Sequence, residues 1–185
     1  MSLPYPRVHV IINPAAGHDE PILNILNDVF HPAGVEWDVS ITHRFGDATR
    51  LTKEALARGV DLVAGYGGDG TQMEVANGLL GSGIPLAILP GGTGNAMAHD
   101  LNVPINLKQA AELIVSSPKR RRVDLGKIGD TFFMLRLYAG VSAKDAASRE
   151  EKNKLGQLAY IQATFKILTR MSETHFEAKV DGEVI

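Results

Sequence analysis

The stretch from Asp61 to Asn77, DLVAGYGGDGTQMEVAN, decides the fold. It predicts a short buried strand at Leu62–Ala64, then a glycine loop, then a helix that opens at Thr71. Four of the six residues from 65 to 70 are glycine, and glycine lets a ligand approach the main chain closely. The start of a helix presents unpaired N–H groups and the positive end of the helix dipole. This order of elements therefore predicts a phosphate site.

Asp69 is the unusual residue of the loop. A carboxylate beside a phosphate is repulsive unless a cation or its water shell lies between them, so Asp69 indicates a magnesium–nucleotide complex that it contacts through water. Thr71 and Glu74 have the spacing of a capping box, in which the hydroxyl and the carboxylate each bond a free N–H of the first turn. The capping box alone would explain Thr71 and Glu74 without a ligand, and both interpretations can hold together.

A second copy of the pattern follows along the chain. Ile84–Leu89 is a short apolar strand, closed by Pro90–Asn95 with the sequence PGGTGN, and a helix is predicted to start near Asn95. A strand, a helix and a strand in this order form a right-handed unit with parallel strands. Both glycine loops should then emerge at the same edge of the sheet, where ligands of open α/β sheets bind.

Three segments together carry a family resemblance: INPAAG at Ile12–Gly17, GGDGT at Gly67–Thr71, and PGGTGN at Pro90–Asn95. In this order and spacing the chain resembles the diacylglycerol kinase catalytic family. That family includes bacterial lipid kinases and is similar to sphingosine and ceramide kinases. GGDGT alone is shared with NAD kinases and phosphofructokinases. The resemblance covers roughly the first half of the chain, and weaker similarity continues to its end.

The resemblance implies a site for ATP and Mg²⁺. It implies a catalytic role for Asp69, and it makes Asp69 (through water) and Asp124 candidate metal ligands. One departure from the family is Ala96, where aspartate is frequent, which leaves the part of a second acid open. The implied nucleotide-binding residues are Asn13, Pro14, Ala15, Ala16, Gly17, Thr42, Gly67, Gly68, Asp69, Gly70, Thr71, Gln72, Met73, Glu74, Gly92, Thr93, Gly94 and Asn95.

The predicted fold class is α/β, an open and mainly parallel sheet with helices on both faces, followed by the start of a β-rich second domain. Residues 1–117 form the predicted nucleotide-binding domain. The pattern changes after Ser117 from alternating helices and strands to extended runs. The runs Lys119–Ile128 and Thr131–Tyr138 predict an antiparallel hairpin. Residues 118–185 are predicted to be the N-terminal part of a truncated, lipid-side domain. Alternation of Trp37, Val39 and Ile41 with polar residues places the second strand near a sheet edge.

The end of the chain predicts a truncation. His175–Val180 reads as a strand and Asp181-Gly182 as a tight hairpin turn, and only three residues follow the turn. A hairpin left this way has no partner to cover it. By the resemblance, the general base is a glutamate of the second domain and should lie past Ile185. We therefore expect these 185 residues to be inactive by themselves.

Composition excludes several classes of protein. There are no cysteines, so disulfides and thiolate metal sites are excluded, which fits a cytoplasmic location. The N-terminus lacks an apolar signal core, and no apolar run approaches the length of a membrane span. The six histidines are scattered without ligand spacing. Gly65–Gly70 satisfies G-x-G-x-x-G, but no acid follows at the end of the next strand, where a dinucleotide-binding motif has its ribose ligand. No lysine follows the glycines, so the segment is not a Walker A loop.

The leading hypothesis is an ATP-dependent lipid kinase that transfers the γ-phosphate to the hydroxyl of a diacylglycerol-like lipid. The alternatives are an NAD kinase-like enzyme and a non-catalytic, nucleotide-binding regulatory protein. Expected partners are the nucleotide and a lipid substrate at the inner face of the membrane, with no nucleic acid, and a homodimer stays open. The basic run Lys119–Arg122 reads as a solvated strand end, with contact to anionic lipid headgroups as the alternative.

Overall fold

The computed structural model describes residues 3–16, 19–135, 179–181 and 183–184. The chain divides into two compact units, residues 1–135 and 136–185. The elements in chain order are β1 Arg7–Ile12, α1 Ile22–Ala33, β2 Glu36–Ile41, α2 Asp47–Ala57, β3 Leu62–Gly67, α3 Asp69–Leu79, β4 Leu86–Pro90, α4 Ala96–Asp100, α5 Leu107–Ser116, β5 Gly126–Ile128, β6 Thr131–Phe133, β7 Lys179–Val180 and β8 Glu183–Val184.

The first unit is built on a parallel sheet with the strand order β2-β1-β3-β4. In the centre of the sheet, Val10 lies between Val39 of β2 and Ala64 of β3. The two central strands are buried along almost their whole length, whereas β2 has four exposed and two half-buried residues. The predicted parallel sheet and the edge position of the second strand are both confirmed.

Helices cover both faces of this sheet, as predicted. Successive residues of β1 point to opposite faces, so Val10 packs with Phe30 of α1 and Ala111 of α5. Its neighbour Ile11 instead packs in a second cluster, with Val75 of α3 and residues of α2. The sheet is therefore enclosed between two apolar layers. The loops that carry the predicted motifs follow the carboxyl ends of its strands.

The limits of three elements differ from the predictions. Strand β3 continues to Gly67, so Gly65 and Gly67 lie in the strand rather than in the loop. Helix α3 begins at Asp69 and not at Thr71, because the carbonyl of Gly68 already accepts the N–H groups of Thr71 and Gln72. Strand β4 spans Leu86–Pro90 rather than Ile84–Leu89. The loop is thus shorter than the glycine content indicates.

The predicted hairpin around Gly129-Asp130 is confirmed, although its strands β5 and β6 are shorter than predicted. Asn77 attaches the hairpin to α3 within the first unit, since its side chain donates to the carbonyl of Phe132 and accepts the N–H of Phe132. The predicted domain boundary after residue 117 stays a prediction.

In the second unit, β7 and β8 pair antiparallel. Asp181 lies at the turn with a φ of 51°, as expected for a tight hairpin. Residues 175–178 of the strand predicted at His175–Val180 lie outside the described residues.

Candidate active site at the carboxyl edge of the sheet

The carboxyl ends of the four parallel strands bring the three predicted motifs together. Hydrogen bonds continue the sheet one residue beyond its strands: the N–H of Asn13 donates to Tyr66, that of Thr42 to Ile12, and that of Gly91 to Gly67, at 2.9, 2.9 and 3.0 Å. The loops after β1, β2, β3 and β4 therefore begin side by side. The shared edge expected from the sequence is confirmed.

Asn13 links the first motif to the glycine loop. Its Nδ2 donates to Oγ1 of Thr71 at 3.0 Å, and its Oδ1 accepts the N–H of Ala15 at 3.1 Å. The same side chain thus fixes the turn Asn13–Ala16 and attaches it to the first turn of α3. Pro14 and Ala15 are exposed on this turn, and Gly17 lies outside the described residues. Thr42, at the end of β2, is 8% exposed.

The two glycine loops pack directly against each other. A Cβ atom at Gly92 would overlap the Cα of Gly68, and a Cβ at Gly68 would lie 3.4 Å from the Cα of Gly92. Position 92 therefore accepts only glycine while both backbones stay in place. At the last residue of β3, a Cβ at Gly67 would lie 2.5 Å from Oγ1 of Thr71. Close backbone approach explains these glycines before any ligand is considered.

Asn95 closes the second loop on itself. Its Oδ1 accepts the N–H of Gly92 at 2.8 Å and its Nδ2 donates to the carbonyl of Gly92 at 2.7 Å. The residue has φ 44° and ψ 41°, the left-handed region that asparagine tolerates better than most residues. The loop is preformed as a result, with Thr93 exposed and Gly94 half-buried at its tip.

Asp69 joins the starts of two helices. Its Oδ2 accepts the N–H of Ala96 at 3.1 Å and its Oδ1 accepts the N–H of Met97 at 2.9 Å. No sequence pattern indicated this contact, since Asp69 lies in one motif and Ala96 directly follows another. Each carboxylate oxygen keeps a further lone pair, so contact with a metal through water stays a prediction.

The predicted capping box is wrong. Glu74 does not return to its own helix: its Oε2 accepts the N–H groups of Gly46 and Ala48 at 2.9 and 3.1 Å, and so caps α2. The hydroxyl of Thr71 accepts from Asn13 instead. Helix α3 begins two residues earlier than predicted, which removes both residues from the capping positions. Contacts between neighbouring elements replaced the local ones.

Gln72 faces the sheet rather than the edge. It is 1% exposed, and its Nε2 donates to the carbonyl of Gly65 at 2.8 Å. Within the described residues its Oε1 has no hydrogen-bond partner. Met73 is half-buried on the next position of α3. The side chain of Gln72 therefore links α3 to β3 inside the protein.

Tyr66 is a contributor that the sequence analysis missed. Its ring is fully buried and lies under Gly91, where a Cβ atom would come within 2.8 Å of Cζ. The phenol donates to Oε1 of Glu20 at 2.8 Å. Burial, and then the Glu20 carboxylate, raise the pKa of Tyr66 well above its usual value, so the phenol stays protonated and donates. The position of an aromatic residue between two glycines was the only sequence feature that could have indicated this contact.

The charge pattern of the edge suits an anion. The first N–H groups of an α-helix have no partner within the helix, and among the described residues no hydrogen bond uses those of Asp69 and Gly70. Metal ligands are less evident. Asp124 is exposed, and the described part of the chain contains no group of three His, Cys, Asp or Glu residues placed to hold a metal ion.

Comparison with known proteins shows which family has the motifs that meet at this edge. Residues 7–128 match the sequence model of the diacylglycerol kinase catalytic domain. The chain belongs to this family. The segment that matches contains all three motifs and the hairpin strand β5.

Two relatives and one solved structure illustrate the similarity. The chain is 39% identical over 146 residues to a probable lipid kinase YegS-like of Pseudomonas syringae pv. tomato, covering 77% of this chain and 46% of that protein. It is 33% identical over 187 aligned residues to a diacylglycerol kinase of Bacillus subtilis, covering 96% and 61%. A crystal structure of a diacylglycerol kinase from Bacillus anthracis superimposes with a TM-score of 0.54 and 39% identity, over 60% of this chain and 43% of that one.

The chain spans about half the length of the relatives that it matches. In the part of the chain that the structure describes, no helix combines the length and the apolarity needed to cross a membrane.

Proposed function

We propose that the chain is the nucleotide-binding part of an ATP-dependent lipid kinase, which transfers the γ-phosphate to the hydroxyl of a diacylglycerol-like lipid. The observation that carries the proposal is the meeting of the three motifs at one sheet edge in a family whose relatives are named lipid kinases. The name of the Bacillus subtilis relative supports diacylglycerol as the first lipid to test.

Positioning is the main contribution that this chain can make to phosphoryl transfer. The unused N–H groups at the start of α3 face the edge and would hold phosphate oxygens. The hydroxyl of Thr93, exposed at the tip of the preformed second loop, would donate to another. Asn13 and Asp69 keep these groups in place through their contacts with Thr71 and with α4.

Mg²⁺, when bound with ATP, would neutralise charge on the transferring phosphate. Asp69 fits such a complex through a water molecule, because its oxygens face the second loop and keep free lone pairs. Asp124 is exposed and would be available as a second carboxylate.

The remaining parts of the proposal concern the whole protein. A lipid substrate places the enzyme at the surface of a membrane, and a cytoplasmic enzyme would meet the inner face. The general base belongs, by the family pattern, to the second domain. A homodimer stays open.

The test is phosphorylation by the protein in its natural full length, offered ATP with diacylglycerol, ceramide, sphingosine or NAD in mixed micelles. We expect transfer of labelled phosphate to a lipid. Transfer to NAD alone would establish the NAD kinase-like alternative. ATP binding without transfer to any acceptor would favour the regulatory protein. The 185 residues alone are predicted not to phosphorylate lipid, and equal activity of both forms would contradict that.

A further inference from the structure

A large groove runs along the free edge of β4. Among the described strands, β4 pairs only with β3. The groove has a volume of about 970 Å³ and lies between the end of α3, helices α4 and α5, and the segment that follows α5. We call it the β4 groove.

Apolar side chains are exposed in the β4 groove. Leu80, Leu113 and Val123 all line it, with exposed fractions of 42, 41 and 43%. Three large aliphatic residues from three separate segments thus converge on one surface. Contiguous exposed apolar surface of this kind marks a binding site more often than a solvated face.

Four consecutive cations, Lys119–Arg122, line the same groove. Arg120 is anchored, because its Nε donates to the phenol oxygen of Tyr5 at 3.2 Å and its guanidinium lies 5.3 Å from the centre of the Tyr5 ring. All four residues are exposed. No carboxylate is among the described residues that line the groove.

We propose that the β4 groove docks the protein on a bilayer of anionic phospholipids. The three exposed apolar side chains enter the boundary between headgroups and acyl chains, and Lys119–Arg122 meet the lipid phosphates. A surface that combines apolar residues with a polybasic run has the composition that such docking requires. A soluble phosphate would satisfy the cations but would leave Leu80, Leu113 and Val123 in water.

Docking serves the proposed function, because a kinase for membrane lipids must reach its substrate, and in that sense the inference rests on it. The two can nevertheless fail separately. Vesicle binding needs neither nucleotide nor phosphoryl transfer, so it is measured in the absence of ATP.

The experiment is co-sedimentation of the chain with phosphatidylcholine vesicles, prepared with or without phosphatidylglycerol. The charge variant is Arg121→Gln with Arg122→Gln. Its matched control is Lys53→Gln with Lys108→Gln, which removes the same charge from exposed positions that do not line the groove. The apolar variant is Leu113→Asn with Val123→Asn. Urea unfolding establishes that each variant is folded.

We expect binding to the anionic vesicles and little to neutral ones. Loss of two cations should weaken binding roughly 25-fold, since each contributes about fivefold near an anionic surface, while the matched control should keep the binding of the parent. The apolar variant should also bind more weakly. Equal losses in the charge variant and its control, unchanged binding of the apolar variant, or no binding of the parent would each overturn the proposal.

Discussion

Asp69 holds two loops together that the sequence presents as separate motifs. Its carboxylate accepts N–H groups from Ala96 and Met97 at 3.1 and 2.9 Å. Hydrogen bonds to a charged group contribute about 1.5–3 kcal/mol each. The residue therefore has a structural task that is independent of any metal ion, and the two tasks are separable by experiment.

The structural task predicts that Asp69→Asn destabilises the chain. The amide keeps one acceptor but turns an NH₂ group toward an N–H donor, so we expect the free energy of unfolding to fall by about 1–3 kcal/mol. Urea denaturation measures the change. The matched control is Asp124→Asn, because Asp124 is exposed, and exposed substitutions usually stay within about 0.5 kcal/mol. Equal stability of the two variants would contradict the contact.

A catalytic task for Asp69 predicts a second effect of the same variant. In a form of the protein that phosphorylates lipid, loss of one electrostatic partner of the transition state should lower kcat by about 10²–10³-fold. A contact with Mg²⁺ through water should also raise the magnesium concentration needed for half-maximal rate. An unchanged kcat in a folded variant would remove Asp69 from the catalytic residues.

His9 is a buried titratable group that is remote from the candidate site. Its Nε2 lies 3.0 Å from Oγ of Ser40, and Nη2 of Arg58 lies 3.3 Å from its Nδ1. Burial, and then the Arg58 cation, lower the pKa of His9 to about 4, against a smaller opposing effect of Asp38. The ring is neutral in the folded protein at neutral pH.

The lowered pKa of His9 predicts an acid-sensitive stability. The unfolded chain takes up the proton near pH 6.5, before the folded chain does, so stability is complete above that value and falls as the pH drops toward the folded pKa. We expect the free energy of unfolding to decrease by about 1–2 kcal/mol between about pH 7 and pH 5. Urea denaturation at the two values checks this, and His9→Gln should remove this part of the dependence. An identical pH dependence in His9→Gln would contradict the assignment.

At the scale of the elements, the glycines of the two motifs differ in whether contacts within the protein explain them. A Cβ at Gly92 would overlap Gly68, whereas a Cβ at Gly70, in the first turn of α3, would meet nothing within 4 Å. We expect Gly92→Ala to lower the stability of the chain by about 1–3 kcal/mol. Gly70→Ala should leave stability equal or higher, since alanine is the better helix former by about 1 kcal/mol.

Nucleotide binding should respond to the two glycine variants differently from stability. Gly70 lies where phosphate oxygens would approach the main chain, so Gly70→Ala should weaken ATP binding in a fully stable protein. Isothermal titration with Mg·ATP measures the affinity, and urea denaturation measures the stability. Unchanged affinity in Gly70→Ala would move the phosphate away from the start of α3.

The sequence predicted the strands, the helices and their shared edge, because apolar runs and glycine loops are local signals that survive folding. It could not predict the partners of Asp69, Glu74 and Tyr66, since each contacts a residue more than 20 positions away. The capping-box prediction failed for this reason: Glu74 had a local partner by spacing and a better one on α2. Glycine content also overstated the loop, because Gly65 and Gly67 serve close packing inside β3.

At the scale of the whole molecule, the parallel sheet gathers motifs that are scattered over some 80 residues of sequence, from Asn13 to Asn95, onto one edge. The β4 groove instead lies beside the edge strand β4 and is lined by the basic run Lys119–Arg122. One unit can thus present a nucleotide site and a separate membrane-facing surface. Variants can distinguish the two surfaces, because no predicted nucleotide-binding residue lines the β4 groove.

The proposed function requires that the carboxyl edge of the sheet binds ATP. The most direct measurement is a titration of the isotope-labelled chain with Mg·ATP, followed through its amide NMR signals, with NADH as the comparison ligand. We expect shifts at Asn13–Gly17, Thr42, Gly68–Glu74 and Thr93 with Mg·ATP. Shifts confined to other residues, or a response to NADH without any response to Mg·ATP, would contradict it.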